Sequence, residues 1–226
     1  HPLFPRYTEM EDFRNFNTIL EEGEEIVVTE KIHGQNARFG MVFNSETMLM
    51  EAIAGSHYTV RKWPDKENTK DLNFDATKHD KFWWPFSIEN HRDLLRFLAK
   101  RFDAKARSIV IFGELFGADC QKSMKYNSPT IQFRAFDINV DSNYLDYDKF
   151  EKECIISGTK YVPQLYRGPF SKEKVLELAN GKTTLNDATH IREGVVIRPV
   201  IERRNPKIGR VILKLRSEAY LAGDYE

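Results

Sequence analysis

Residues Thr29–Gly40 read TEKIHGQNARFG and place a lysine at the end of an apolar run, with a glycine three positions later. The run before Lys31, EIVVTE (25–30), is rich in β-branched residues and predicts a strand. Gly34 allows the backbone to bend and a ligand to approach it closely. The stretch therefore predicts a strand that delivers Lys31 to a cleft, although a Lys-x-x-Gly spacing alone is also typical of an exposed surface lysine.

The rest of the chain predicts an α+β fold in which strands dominate. Its 226 residues are enough for one domain with a sizeable core. Apolar runs bounded by turn residues predict further strands at 37–43, 108–117, 130–140, 158–166, 194–200 and 209–217. Helical periodicity and capping residues predict helices over Ser87–Phe102, Asp146–Ile156 and Ser171–Asn180. Because strands and helices do not alternate regularly, a doubly wound parallel sheet is disfavoured.

Composition narrows the class of protein. The chain contains no run of 18 apolar residues, which argues against a membrane span, and its N-terminus has no apolar signal region. Cys120 and Cys154 lie far apart without metal-ligand spacing, which indicates a reduced, intracellular protein.

Charge is distributed unevenly along a chain whose net charge is zero. Residues 9–30 carry eight acids and one base, whereas residues 198–216 carry seven bases and one acid. The zero net charge argues against a general nucleic-acid binder, yet a clustered basic stretch can follow a phosphate backbone. The alternative is two solvated faces, and charge alone leaves both open.

Four further segments place charged or aromatic residues within apolar strands. FGELFG contains Glu114, whose burial is costly unless it meets a hydroxyl, a cation or a metal. FRAFDI contains Phe136, and REGVVIRP places Glu193 at the mouth of a strand. In LKLRS, Lys214 and Arg216 are two positions apart and therefore share a strand face, which favours a bound anion.

Taken in order, EKIHGQN, FGELFG, FRAFDI, EGVVIRP and LKLRS resemble motifs I, III, IIIa, IV and V of the covalent nucleotidyltransferases. This superfamily contains DNA ligases, RNA ligases and capping guanylyltransferases. The E-K-I-H-G-x-N form is similar to the RNA ligase 2 branch, which includes phage RNA ligases and RNA-editing ligases. The resemblance spans about residues 25–217. It implies an α+β nucleotidyltransferase (ATP-grasp-like ligase) fold with antiparallel sheets flanked by helices, and a single adenylyltransferase domain over residues 1–226.

The resemblance implies an ATP-dependent RNA ligase with a covalent intermediate. Lys31 would attack the α-phosphate of ATP to give lysyl-AMP, the AMP would pass to a 5′-phosphate of RNA, and a 3′-hydroxyl would displace it. A free lysine has a pKa of about 10.4, and nearby cations favour its neutral, nucleophilic form. Lys214 and Arg216 would supply such cations, together with Mg²⁺ or Mn²⁺. The expected partner is RNA with 3′-OH and 5′-phosphate ends, bound by a monomer without membrane contact.

The same resemblance assigns three residues to the nucleotide and its metal. Glu114 would hold the ribose hydroxyls and Phe136 would stack on adenine. Glu193 would help to place the divalent metal, since Mg²⁺ prefers oxygen ligands and retains several waters.

Three residues around the lysine complete the implied nucleotide site. Glu30 and Ile32 would contact the adenine edge through backbone or side chain. Asn36 would reach the ribose, the phosphate or a metal-bound water.

His33 stands where DNA ligases and capping enzymes carry the Asp of Lys-x-Asp-Gly, as in the RNA ligase 2 form. The chain departs from the family pattern in two places. The last motif usually reads Lys-x-Lys, and Arg216 keeps the charge but presents a planar fork. Where relatives carry a phosphate-contacting arginine after motif I, AGSHYTVRKW offers His57, Arg61 or Lys62, of which we favour Arg61.

The chain begins without Met and ends shortly after the last motif, which predicts an excised catalytic domain or a minimal ligase. RNA contacts would then fall to the basic stretch 198–216 and to the polar stretch 61–84. Tryptophans in the latter, Trp63, Trp83 and Trp84, either stack on bases or pack beneath it. The alternatives for the whole chain are a DNA ligase, a capping-type nucleotidyltransferase, and a non-catalytic nucleotide- or RNA-binding module of the same fold.

Overall fold

The computed structural model describes residues 1–62, 80–102, 105–118 and 120–225. In chain order, its strands and helices are β1 (Glu11–Asp12), α1 (Phe13–Phe16), β2 (Glu25–Lys31), β3 (Gln35–Asn44), β4 (Leu49–Ser56), α2 (Glu89–Arg101), β5 (Ser108–Phe116), β6 (Gln132–Val140), β7 (Asn143–Tyr144), α3 (Tyr147–Ser157), β8 (Gln164–Pro169), α4 (Lys172–Ala179), β9 (Gly194–Pro199), β10 (Arg204–Asn205), β11 (Gly209–Arg210), β12 (Leu213–Arg216) and α5 (Glu218–Ala222).

These elements belong to two compact units. The first unit comprises His1–Tyr7, Gln35–Leu115 and Phe133–Tyr161. The second unit comprises Thr8–Gly34, Phe116–Gln132 and Val162–Glu226.

The first unit is built on a five-stranded sheet with the order β4-β3-β5-β6-β7. The long strand β3 pairs antiparallel with β4 on one side and with β5 on the other. An aromatic core forms around Phe39, whose ring centroid lies 5.2 Å from that of Phe86, 5.5 Å from His91 and 5.4 Å from Phe133. Burial lowers the pKa of His91 to about 4, so this histidine is a neutral core residue.

The second unit is built on a five-stranded sheet with the order β1-β12-β9-β2-β8. All neighbours are antiparallel except β1, which runs parallel to β12. Alternate residues of the three central strands face a hydrophobic core that includes Ile26, Val28, Val195, Ile197, Leu213 and Leu215. The opposite face of those strands carries Lys31, Lys214 and Arg216, so strand alternation separates the charged residues from the core.

The predicted α+β fold with antiparallel sheets and helices is confirmed. All three predicted helices form, as α2, α3 and α4. Ser171 caps α4 by accepting a hydrogen bond from the Lys174 backbone N–H. The helix α2 buries Leu94, Leu95 and Leu98.

Several strand boundaries differ from the sequence prediction. The strand predicted over 158–166 begins only at Gln164, because Pro163 has no N–H to donate to a ladder. The run predicted over 209–217 is two strands, β11 and β12. The strand β4 was not predicted, because its sequence LMEAIAGS is poor in β-branched and aromatic residues.

The polar stretch 61–84 is described only in part, and Trp63 lies outside the described residues. Trp83 and Trp84 belong to a short 3-10 helix, Lys81–Ser87. Trp83 is buried, packs against Phe86 and donates its indole N–H to the Lys62 carbonyl at 3.1 Å. For Trp83, the packing alternative is confirmed.

Both cysteines are buried, and neither forms a disulfide. Within the described part of the chain, no helix is long and apolar enough to cross a membrane.

Candidate active site

The sheet of the second unit brings two cations of the predicted site to either side of one glycine. Lys31 stands opposite Gly194 in the β2–β9 pair, and Arg216 stands opposite the same glycine in the β9–β12 pair. Residues directly opposite one another in an antiparallel sheet project from the same face. The register therefore places Lys31 and Arg216 in one row on the face away from the core.

Gly194 is required at the centre of this row. A Cβ at this position would lie 2.0 Å from the backbone oxygen of Leu215 and 2.7 Å from the Cα of Arg216. Its φ of 153° is also one that side-chain-bearing residues rarely adopt. The glycine that follows Glu193 thus allows β12 to approach β9 closely where the cations stand.

Glu193 joins these cations into what we call the lysine cluster: Lys31, Glu193 and Arg216. The Lys31 ammonium Nζ lies 2.8 Å from Glu193 Oε1, and Arg216 Nε lies 3.5 Å from the same oxygen. His33 Nδ1 lies 3.6 Å from the other oxygen, Oε2. The Glu193 side chain is only 4% exposed, so its negative charge needs these partners.

The pKa of Glu193 reflects the balance between burial and neighbouring cations. Burial of the carboxylate raises its pKa, but interactions with His33 and Lys31 outweigh that effect and hold the net pKa below the ordinary value of 4.5. Glu193 is therefore a carboxylate at neutral pH and holds Lys31 by a charge-assisted contact.

Lys214 lies on the same face of β12 as Arg216, one pair further along the strand. It stands opposite Val196 of β9 and Asp12 of β1, and its side chain is half-buried. The strand register confirms the prediction that Lys214 and Arg216 share one face of the strand.

Glu30 and Lys31 project from opposite faces of β2, because successive residues of a strand alternate. The Glu30 carboxylate is buried and accepts hydrogen bonds from the hydroxyls of Thr183 and Thr184 and from the Thr184 backbone N–H. The side chain of Glu30 is thus used within the fold, and only a backbone contact with adenine stays a prediction. Ile32, the other flanking residue, is also buried.

The turn after Lys31 is held by two residues that the sequence analysis did not predict, Tyr126 and Gln121. The His33 backbone N–H donates to the Tyr126 hydroxyl at 2.6 Å, and the Gln121 amide donates to the His33 and Met124 carbonyls. The Gln121 side chain thus fixes the turn after Lys31. Sequence analysis could have found Tyr126, because it is a large aromatic residue within a polar loop. In the structure it is fully buried.

In the first unit, two predicted nucleotide residues are neighbours. Asn36 of β3 stands opposite Glu114 of β5, so their side chains project from one face of the sheet. Phe136 is half-buried between buried neighbours on β6, and its ring centroid lies 4.7 Å from that of Tyr7. The Tyr7 hydroxyl donates to Asp137 Oδ2 at 2.9 Å, which fixes the ring that packs on Phe136.

A cavity of about 490 Å³ in the first unit is lined by two of the three candidates for the phosphate contact. His57 and Arg61 line it together with Asn36. Arg61 Nε lies 3.7 Å from the Asp80 carboxylate. The third candidate, Lys62, is exposed.

The basic stretch 198–216 is partly neutralised within the fold. Arg198 and Arg210 both bind Glu202, at 2.5 Å and 2.6 Å, and we call these three residues the arginine cluster. Arg203 binds Glu24 at 2.5 Å. The Arg198 and Arg210 side chains are only 4% exposed, so they offer little surface for RNA, whereas Arg203 is 30% exposed. RNA contact by this stretch stays a prediction.

Comparison with known proteins places the chain in a family. The RNA ligase family model matches residues 24–216, and the chain belongs to the RNA ligase family. Among curated proteins, no match was found.

The fold is similar to solved structures of Naegleria gruberi RNA ligase. The structure of that ligase with PPi matches at 21% identity and a TM-score of 0.70, and the match covers 99% of this chain and 59% of that one. A mutant with ATP and Mn matches at 20% identity and a TM-score of 0.70, with the same coverages of 99% and 59%. A mutant with AMP and Mn matches at 19% and 0.69, again covering 99% and 59%. The chain thus spans about 59% of the length of these ligases, and at this identity the likeness shows the fold alone.

Proposed function

We propose that the chain is an ATP-dependent RNA ligase of the RNA ligase 2-like branch, which joins 3′-OH and 5′-phosphate RNA ends through Lys31-AMP. The observation that carries the proposal is the lysine cluster, in which a buried carboxylate holds Lys31 2.8 Å away in a member of the RNA ligase family. The solved Naegleria ligases with ATP, AMP and PPi support an adenylyl transfer, since these are its nucleotide substrate, the transferred group and its leaving group.

In the first step, Lys31 gives up a proton and its Nζ forms a bond with the α-phosphorus of ATP. The bond from that phosphorus to the bridging oxygen breaks, and pyrophosphate leaves. Glu193 positions the amine beforehand, while Arg216 and Lys214 present positive charge on the same sheet face for the phosphates. Phosphoryl and nucleotidyl transfers depend mainly on such positioning and charge neutralisation.

Glu193 is the residue proposed to hold Mg²⁺ or Mn²⁺. Its carboxylate oxygens fit the preference of these ions, and Mg²⁺ is often bound by one carboxylate with waters and substrate phosphates. Among the residues that the structure describes, no group of three or more His, Cys, Asp or Glu side chains could hold a metal ion. In this proposal, water and substrate phosphates supply the other ligands. When bound, the ion supplies positive charge to the phosphates.

The remaining nucleotide contacts belong to the same proposal. Glu114 and Asn36, which are cross-strand neighbours, bind the ribose, and the half-exposed ring of Phe136 stacks on adenine. Arg61, which lines the 490 Å³ cavity with Asn36, contacts a phosphate. Ile32 contacts the adenine edge, as does the backbone of Glu30.

We extend the proposal to the whole chain, residues 1–226, as one adenylyltransferase domain that acts as an intracellular monomer on RNA. Its two compact units would then serve a single reaction.

Intact-mass spectrometry after incubation with ATP and Mg²⁺ or Mn²⁺ tests the first step. Wild type is expected to gain one AMP, stable to base and lost in acid as a phosphoramidate is. Lys31→Ala is expected to gain none, and the matched control Lys207→Ala, an exposed lysine of the second unit, is expected to match wild type. An adduct on Lys31→Ala overturns Lys31 as the nucleophile. No adduct on folded wild type overturns the proposal and favours a nucleotide- or RNA-binding module.

The acceptor is tested separately with labelled nicked duplexes and single strands. Sealing of RNA ends with ATP supports the RNA ligase. Sealing restricted to DNA ends indicates a DNA ligase, and labelling by GTP in place of ATP indicates a capping-type enzyme.

A further inference from the structure

A short helix beyond the last motif is tied to the residues that directly precede β9. Ser217 is the N-cap of α5 and accepts a hydrogen bond from the Tyr220 backbone N–H at 3.2 Å. The Ser217 backbone N–H donates to the Glu193 carbonyl at 2.9 Å, and its hydroxyl donates to the Arg192 carbonyl at 3.1 Å. Because Ser217 is buried, these bonds fix α5 relative to the start of β9.

Tyr220 extends from this helix to the histidine that follows Lys31. Its hydroxyl oxygen lies 3.0 Å from His33 Nδ1, within hydrogen-bond distance. The same Nδ1 lies 3.6 Å from Glu193 Oε2, which is too long for a hydrogen bond. Tyr220 rather than Glu193 is therefore the hydrogen-bond partner of Nδ1.

This hydrogen bond joins two groups that can each donate or accept, the phenol of Tyr220 and the imidazole of His33. In either direction it restrains the orientation of the His33 ring. The contacts then form a closed ring from Glu193 through Ser217 and Tyr220 to His33 and back to the Glu193 carboxylate.

We propose that Tyr220 is a positioning residue, whose hydrogen bond with His33 Nδ1 fixes the ring orientation of His33 beside Glu193 and thereby supports adenylylation of Lys31. The kinetic part of this inference rests on the proposed function. The ring orientation rests on the geometry alone.

Single-turnover adenylylation with a double-mutant cycle tests the kinetic part. Tyr220→Phe removes only the hydroxyl and is expected to slow the reaction roughly 3- to 10-fold, the loss of one hydrogen bond. The matched control is Tyr225→Phe, whose ring lies 5.6 Å from that of Tyr220 and which is expected to react within about 2-fold of wild type. In a His33→Ala background, Tyr220→Phe is expected to have no further effect, because a residue that acts through His33 is coupled to it. Equal slowing in both backgrounds, or an equal effect of Tyr225→Phe, overturns the proposal.

Nitrogen NMR of protein labelled at its six histidines tests the geometric part without any reaction. The His33 resonances are assigned by their loss in His33→Ala. Tyr220→Phe is expected to shift the His33 Nδ1 resonance, because it removes the hydrogen bond at that atom. An Nδ1 resonance that Tyr220→Phe leaves unchanged overturns the inference. Because this readout needs no reaction, a failure of the ligase proposal remains distinguishable from a failure of this one.

Discussion

In the second unit, the lysine cluster and the arginine cluster each contain one carboxylate and two cations. The carboxylate is the more exposed group in the arginine cluster, whereas the cations are the more exposed groups in the lysine cluster. In the arginine cluster, the Arg198 and Arg210 side chains are each 4% exposed, whereas Glu202 is 16% exposed. In the lysine cluster, Glu193 is 4% exposed, whereas Lys31 and Arg216 are 19% and 43% exposed.

This difference separates a structural ion cluster from the site proposed for the ATP phosphates. Glu202 accepts two hydrogen bonds from Arg210, at 2.8 Å and 2.6 Å, and one from Arg198 at 2.5 Å. Buried cations that are bound in this way have a structural role. The cations of the lysine cluster share one buried carboxylate and keep their outer sides accessible, so an incoming phosphate can contact them.

The largest expected effect is on catalysis, in Glu193→Gln. Loss of the carboxylate charge removes the anchor of Lys31, and we expect single-turnover adenylylation to slow at least about 100-fold, the scale of losing one electrostatic contact in a reacting site. Stability should change by about 1 kcal/mol or less, because the cations left behind are accessible to water. A variant that reacts normally but unfolds early would show that Glu193 belongs with the structural clusters.

Glu202→Gln is expected to give the reverse result. It leaves Arg198 and Arg210 buried without their carboxylate, and we expect the free energy of unfolding to fall by about 3 kcal/mol in urea titrations. Adenylylation of the folded fraction should stay within about 2-fold of wild type. Loss of adenylylation without loss of stability would erase the distinction between the two clusters.

The same conservative change at the two arginines sharpens the comparison. Arg210→Lys breaks a bidentate contact, and we expect a loss of about 1.5 kcal/mol of stability. Arg216→Lys keeps a charge whose contact with Glu193 is 3.5 Å long, so adenylylation should fall by no more than about 3-fold. A larger loss at Arg216 would mean that its planar fork, and not its charge alone, is needed.

The smallest expected effect is a pH dependence at the Glu24–Arg203 pair. Burial raises the pKa of Glu24, but hydrogen bonds from Arg203 and from the Glu21 backbone bring the net pKa below 4.5. The pair therefore stabilises the fold fully above about pH 4.5, and this contribution is lost as the pH falls through the lower folded-state pKa. Thermal melts of wild type and Glu24→Gln should differ by about 1 kcal/mol at pH 7 and converge in acid. Curves that stay parallel down to pH 2 would exclude this linkage.

Much of the fold was predictable, because helix and strand periodicity are local properties. The caps Ser171 and Asp146 marked the starts of α4 and α3, and β2, β5 and β9 lie close to their predicted bounds. The strand β4 was missed, since pairing with β3 and not its own residue types makes it a strand.

The sequence alone determined the motif order and the face shared by Lys214 and Arg216. These features depend on neighbours in the chain and on the two-residue period of a strand. Only the tertiary structure decided that Lys31 and Arg216 flank Gly194, that Glu24 holds Arg203 from 179 positions away, and that Tyr220 contacts His33. The reason is physical: strand register and long-range ion pairing are set by how the core packs, so the partner of a charged residue is not fixed by its position in the chain.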